Sequence, residues 1–204
     1  LAKKLGRPVR LVEDRLENMR GGDMQGPDRV FDVTLGFQKN GEIKSMKMRA
    51  VDDIGAYSGR SPLQLGKPVG AIVGPYRILS VEYDAMAVMT HKTPQEAVRG
   101  FGQAPTNYAL ETGIDKVARF LNMDRIALRR VNLIGKDEFP YLIPSGTHYD
   151  SGDYDKALTA GDKEAVASRD AMTNPDAIDW FVRFAQESLD YQWRPSVATR
   201  DQAA

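Results

Sequence analysis

The 204-residue sequence contains no cysteine. Disulfides, thiolate nucleophiles and cysteine-ligated zinc or iron–sulfur sites are therefore excluded for this chain. Histidine is scarce as well. His91 and His148 are far apart and have no helical ligand spacing, which disfavours a protein-ligated transition metal. Neither sign of charge is in excess, because Lys plus Arg and Asp plus Glu each number 28. That balance argues against a nucleic-acid or anionic-membrane partner. No apolar run reaches the roughly 18 residues that a membrane-spanning helix needs. The opening LAKKLGRP has no apolar core segment and no small-residue cleavage site, so no export signal is seen. A cytoplasmic location is expected. An initiator Met is missing too, and LAKKLG reads as the end of a helix closed by Gly6. The chain is expected to start within a domain.

The residues that are present alternate between strand and helix patterns. PVRLV (8–12) predicts the opening of a strand, and EDRLENMRGG a brief helical turn or loop. Just after Val30, Phe31, Val33, Leu35 and Phe37 alternate with Asp32, Thr34 and Gly36, the period of a half-buried strand. Asn40-Gly41 predicts a type I′ hairpin turn, in which both central residues take positive φ. Ile43, Met46, Met48 and Val51 continue the return strand. The stretch 55–76, GAYSGRSPLQLGKPVGAIVGPY, predicts an irregular loop hosting a short helix, and VEYDAMAVMT (81–90) another strand. Leu110, Ile114, Val117, Ala118 and Leu121 form an apolar stripe on a helix expected over 104–121. Pro105 sits in its first turn. Asn122 can end that helix in the left-handed region, and Asp124 can cap a second helix, DRIALRRVNLI. The segment DEFPYLIPSGTHYDSGDYDKAL is turn-rich and leads into a further helix. From about Gly161 the chain turns polar, and Asn174-Pro175 can start a helix carrying Ile178, Phe181, Ala185 and Leu189 on one face. These patterns predict an α+β fold, an antiparallel hairpin and sheet with packed helices. Residues 1–160 form the main domain and 161–204 a polar, helical tail of unassigned role.

The segment AVRGFGQAPTN (97–107) raises the functional question, since it joins a strand-like run to a strongly periodic helix. Glycines let backbone amides approach a ligand closely, and the first turn of a helix offers free donors with partial positive charge. Anions or polarised oxygens are the natural guests. A dinucleotide fingerprint fits poorly, because its third glycine would be Pro105 and no βαβ unit with a following acid is present. The plain alternative is that Gly100 and Gly102 only make a tight connection. Phe101 between them is either a core plug or a ligand platform. Asp52, Asp53 and the acids of YDSGD read as turn and capping residues, not as a metal site.

The surrounding stretch, EAVRGFGQAPTNYALETGIDKVARFLNMDRIALRRVNLI, resembles the large molybdenum-binding (molybdopterin-binding) subunit of the xanthine dehydrogenase, aldehyde oxidase and carbon monoxide dehydrogenase family. The likeness extends to GRPVRLVEDRLENM, to VFDVTLGFQKNGEIKSMKMRAVDDIGAYS and to EFPYLIPSGTHYDSGDYDKAL, in order, over about residues 1–160. It implies part of a molybdopterin-binding domain, whose metal–sulfur bonds come from the cofactor and not from protein cysteine. The implied activity is oxidative hydroxylation of aldehydes or aromatic heterocycles with water. Electrons would pass to an iron–sulfur (FeS) small subunit and an FAD-containing medium subunit, in an oligomer. The cytosine dinucleotide form of the pterin is one option.

Carried over by position, Arg99, Gly100, Gly102 and Gln103 match cofactor-binding residues, the main chain of Arg99 lying near the molybdenum. Phe101 matches a substrate-stacking aromatic. Lys67 falls within a residue or two of a substrate-orienting arginine in purine-oxidising members. True carbon monoxide oxidisers carry a cysteine in this loop, so that activity is disfavoured. The family's G-G-G-F-G loop and its general-base Glu are expected outside this chain. No catalytic residue is assigned within it, and the isolated chain is expected to be inactive. The alternatives are a non-catalytic remnant or subunit-assembly module, and an unrelated anion- or nucleotide-binding domain.

Overall fold

The alternation after Val30 becomes a strand in the computed structural model of the chain, which describes residues 1–21 and 26–172. Strand β1 (Arg29–Phe37) pairs antiparallel with β2 (Ile43–Gly55), Val33 opposite Met48 and Leu35 opposite Met46. The inward residues of β2, Met46, Met48, Ala50 and Ile54, are almost fully buried. A third strand, β3 (Ser80–Met89), lies on the other side of β2 and runs parallel to it, so the sheet is mixed, not wholly antiparallel. Residues 56–79 make this possible. A parallel pair needs a crossover of about a dozen residues or more, and this one carries the short helix α3 (Leu63–Gly66) and a 3-10 helix, Lys67–Ala71. Strands β1 and β3 are the edges of the sheet among the described residues.

Helix α4 (Gln103–Leu121) packs on the inner face of the sheet. Its stripe of Leu110, Ile114, Val117 and Ala118 is buried. Gly113 brings it so close to β1 that a Cβ there would sit 3.2 Å from Leu35 Cδ1. The helix also carries Thr106, Thr112, Ile114 and Val117, β-branched residues that each disfavour a helix by some tenths of a kcal/mol. A fully buried Leu, Ile or Val side chain contributes roughly 1.5–3 kcal/mol, so packing decides the outcome. Asn122 ends α4 at φ 52°, and Asp124 caps α5 (Arg125–Asn132) by accepting from the amides of Ile126 and Ala127. Arg129 joins the two helices, with its guanidinium on Glu111 (2.6 Å) and Asp115 (2.8 Å).

Two local expectations are corrected. Only Gly41 takes a positive φ (92°) in the hairpin loop; Asn40 does not. Gln38 donates its amide to the Glu42 carbonyl and Gly41 to the Gln38 carbonyl, so the connection is a three-residue loop and not a type I′ turn. Asn40 instead accepts the Glu42 amide on its side chain at 3.1 Å. Gly41 is pressed onto α5, where a Cβ would come 2.9 Å from Leu128. The second correction concerns PVRLV, which is exposed and forms no strand. Its apolar side chains find no neighbouring strand within the described residues.

Beyond α5, the Phe139–Pro140 bond is cis, and β4 (Tyr141–Leu142) pairs with β5 (His148–Tyr149). Helix α1 (Ala2–Leu5) closes on Gly6 as expected, and α2 spans Arg15–Gly21. Backbone contacts divide the chain into two units, Leu1–Asp155 and Lys156–Ala204. Helix α6 (Tyr154–Met172) runs through Gly161 without a break. The helix expected after Asn174 lies outside the described residues. Among those that are described, no helix is long and apolar enough to cross a membrane.

Asn132 ties α5 to the hairpin. Its side chain accepts the Ile43 amide (2.8 Å) and donates to the carbonyls of Gly41 and Leu128, both at 2.9 Å. Asn132→Ala leaves at least two of these buried groups unpaired, so it is expected to destabilise the chain by roughly 2–4 kcal/mol. Urea unfolding measures this, and a loss below about 1 kcal/mol would contradict the clamp.

Candidate functional site

The Arg99–Gln103 loop is the connection between β3 and α4, and its shape follows from three successive positive φ values: Gly100 (99°), Phe101 (49°) and Gly102 (88°). Phe101 donates its amide to Val98 O (2.8 Å) and Gln103 to Gly100 O (3.1 Å). The amides of Arg99, Gly100 and Gly102 have no acceptor among the described residues. The N-terminus of α4 begins here with no side-chain cap and no acidic residue in its first turn. Unpaired amides thus adjoin the positive end of a 19-residue helix.

The two glycines play different parts. At Gly100 an added Cβ would meet nothing within 4 Å, so one side of the loop is open. At Gly102 a Cβ would overlap the main-chain carbonyl of Gln64. Only glycine allows that approach. Thr106 reinforces it by donating its hydroxyl to Gly102 O at 2.9 Å.

Behind the loop lies a buried polar network. Arg29 and Asp52 pair at 2.6 Å with both side chains out of solvent. Gln95 donates to Asp52 (2.9 Å) and to the Asp53 carbonyl, and its main-chain carbonyl accepts the Ser61 hydroxyl. Gln64 donates to Glu96 O at 3.2 Å, while Arg29 reaches Gln64 O at 3.5 Å. Asp52 thus serves a buried ion pair, not a turn or cap. Its neighbour does cap: Asp53 accepts the Gly55 amide (3.0 Å) and the Thr90 hydroxyl (2.7 Å). The Thr90 hydrogen bond holds the Asp53 carboxyl below its usual value; burial opposes this, and the Gly55 amide and Lys92 add to it. In YDSGD, Asp150 accepts the Ser151 amide at 2.7 Å. Among the described residues no group of three or more His, Cys, Asp or Glu could hold a metal ion.

Phe101 is half-buried, whereas Arg99, Gly100 and Gln103 are exposed. Lys67 is exposed at the start of the 3-10 helix. It is not part of the loop, but its neighbours Pro68 and Ala71 line a cavity of about 140 Å³ with Gln103, Thr106 and Asn107. His91 is exposed. Sequence reasoning missed Arg29, Gln64, Gln95 and Thr106. A PQE step just before the loop was the only local signal for Gln95, and it does not reveal the partners.

Residues 1–133 match the family model described as "Molybdopterin cofactor-binding domain". Among similar curated proteins, the carbon monoxide dehydrogenase large chain of Hydrogenophaga pseudoflava is 34% identical over 163 residues, covering 76% of this chain and 20% of that protein. A probable xanthine dehydrogenase subunit of Bacillus subtilis is 33% identical over 133 residues, covering 65% and 18%. The chain thus spans about a fifth of the length of these relatives. Among solved structures, quinoline 2-oxidoreductase from Pseudomonas putida 86 superposes with a TM-score of 0.72 at 29% identity, covering 92% of this chain and 23% of that one. Reconstituted CO dehydrogenase from Oligotropha carboxidovorans gives 0.73 at 28%, covering 89% and 23%.

Two outcomes test this geometry. Gly100→Ala and Gly102→Ala share a backbone strain of about 1–3 kcal/mol, but only the second adds the overlap with Gln64. Thermal unfolding should therefore rank Gly102→Ala clearly below Gly100→Ala, and equal losses would contradict the close approach. For Asp53, a lowered carboxyl contributes stability that is present above its unfolded value of 3.8 and is lost as pH falls through the folded one. Stability measured from pH 6 down to about 2 should fall less steeply in Asp53→Asn than in the parent.

Proposed function

The chain belongs to the molybdopterin cofactor-binding domain family, and on that premise we propose that it forms one wall of the active site in the catalytic subunit of a molybdenum hydroxylase. The observation that carries this reading is the Arg99–Gln103 loop, three unpaired amides on an uncapped helix start beside an open face at Gly100. Such a surface suits the oxygens of a bound anionic group. A cysteine-free chain also fits a cofactor that brings its own sulfur ligands. When bound, the molybdenum–pterin group supplies two-electron oxidation chemistry that no side chain here can provide.

The chain's own residues bind and orient. The main chain of Arg99, Gly100 and Gly102 offers hydrogen bonds to the cofactor, and the exposed Gln103 side chain adds an amide. Phe101 presents part of its ring as a platform for a planar substrate. Lys67 supplies a cation for a substrate carbonyl. The general-base Glu belongs to a part of the subunit outside this chain, so the isolated chain is inactive. Aldehydes or aromatic heterocycles are the substrate classes, hydroxylated with water. FeS and FAD subunits accept the electrons, the assembly is oligomeric and cytoplasmic, and the pterin is carried in its plain or cytosine dinucleotide form. Residues 1–160 act as the cofactor-binding portion, with 161–204 a polar tail of unassigned role.

Co-expressed with the remainder of its subunit and the partner subunits, the protein is expected to retain molybdenum and pterin, measured by metal analysis and pterin fluorescence. Stable assembly with neither would make it a remnant. In that loaded enzyme, Phe101→Ala should lower kcat/KM for aromatic substrates roughly 3–10-fold more than for small aliphatic aldehydes. An equal loss on both would remove the stacking role.

A further inference from the structure

We propose that Gln95 is a positioning residue: with Asp52 and Arg29 it fixes the height of the Arg99–Gln103 loop through the main-chain carbonyl of Gln64. The proposal deepens the reading of that loop as a cofactor wall and rests on it for its consequence.

The loop is anchored at both ends. At one end, fully buried Gln95 donates its backbone amide to Ile54 O (3.1 Å) and its side-chain amide to Asp52 and to the Asp53 carbonyl. At the other, Gly102 rests on the Gln64 carbonyl and is held by Thr106. Val98, Arg99 and Gly100 between these points are exposed. The two ends are joined underneath. Asp52 pairs with Arg29, Arg29 reaches the Gln64 carbonyl, and the Gln64 side chain returns to Glu96, the residue after Gln95. A displacement of Gln95 therefore moves both ends of the loop.

The network is a poor device for stability alone. Arg29 Nε and Gln95 Oε1 are buried without any hydrogen-bond partner, and each such orphan opposes folding. A buried ion pair is itself weak support for stability compared with an apolar replacement of the same volume. What polar groups supply in return is direction, because hydrogen bonds fix orientation where apolar contacts allow sliding. Here the orientation that is fixed is that of the carbonyl beneath Gly102.

Hydrogen exchange on the 204-residue chain, without cofactor, tests this. The reporters are the two bonded loop amides, Phe101 and Gln103, with amides of Ile114 and Leu128 as controls. Gln95→Met keeps the bulk and removes the donor. It is expected to speed exchange at both reporters about tenfold or more beyond any change at the controls. Exchange at the reporters that is unchanged, or that rises only in step with the controls, would overturn the proposal. Should Gln95→Met fail to fold, Gln64→Met, which cuts only the link to Glu96, gives the same two outcomes. Because the readout needs no metal or pterin, failure here is distinct from failure of the chain to take a cofactor.

Discussion

The carbonyl oxygen of Gln64 occupies the space that any side chain at position 102 would need. This one contact couples the crossover between β2 and β3 to the first turn of α4, and hence the sheet to the candidate site. It requires glycine at 102, a crossover that holds Gln64 at that depth, and a helix that starts immediately afterwards. The Arg29–Asp52 pair supplies the depth, since Arg29 stands on β1, Asp52 on β2, and the same guanidinium reaches the Gln64 carbonyl. Arg99 and Gly100 thereby stand exposed in the loop, and no side-chain cap on α4 competes for the amides there.

Much of the scaffold was legible in the sequence because its signals are local. The alternation from Phe31 to Phe37, the stripe from Leu110 to Ala118, the left-handed Asn122 and the Asp124 cap depend on residues a few positions apart. So does the glycine-rich loop itself. The parallel placement of β3 was not legible, since strand direction within a sheet is set by the crossover and not by the strand. Neither was the exposure of PVRLV, whose apolar pattern says what it can pair with and not whether a partner is present. Asn40-Gly41 was misread because the turn is shaped by contact with Leu128 and Met123, more than 80 residues further along.

The polar network is the clearest case of information that no window contains. Arg29 and Asp52 are 23 positions apart, Gln64 and Glu96 are 32, and Gln95 and Asp52 are 43. Each residue taken singly reads as an ordinary polar side chain facing water. Only the sheet and the crossover bring them together out of solvent. The family likeness identified the loop, but said nothing of what stands behind it.

The free edge of the sheet bears on how the molecule behaves in a tube. Strand β3 ends the described sheet with an unpaired edge, and Leu79, Met86 and Met89 stand exposed along it. Val30, Val51 and Met86 also fall in one row across the outer face. With formal charge balanced and an isoelectric point near 7.0, neutral buffer gives copies of the chain almost no mutual repulsion to keep such edges from adding to one another. The 204-residue polypeptide is therefore least protected against such association at the pH where most purifications begin.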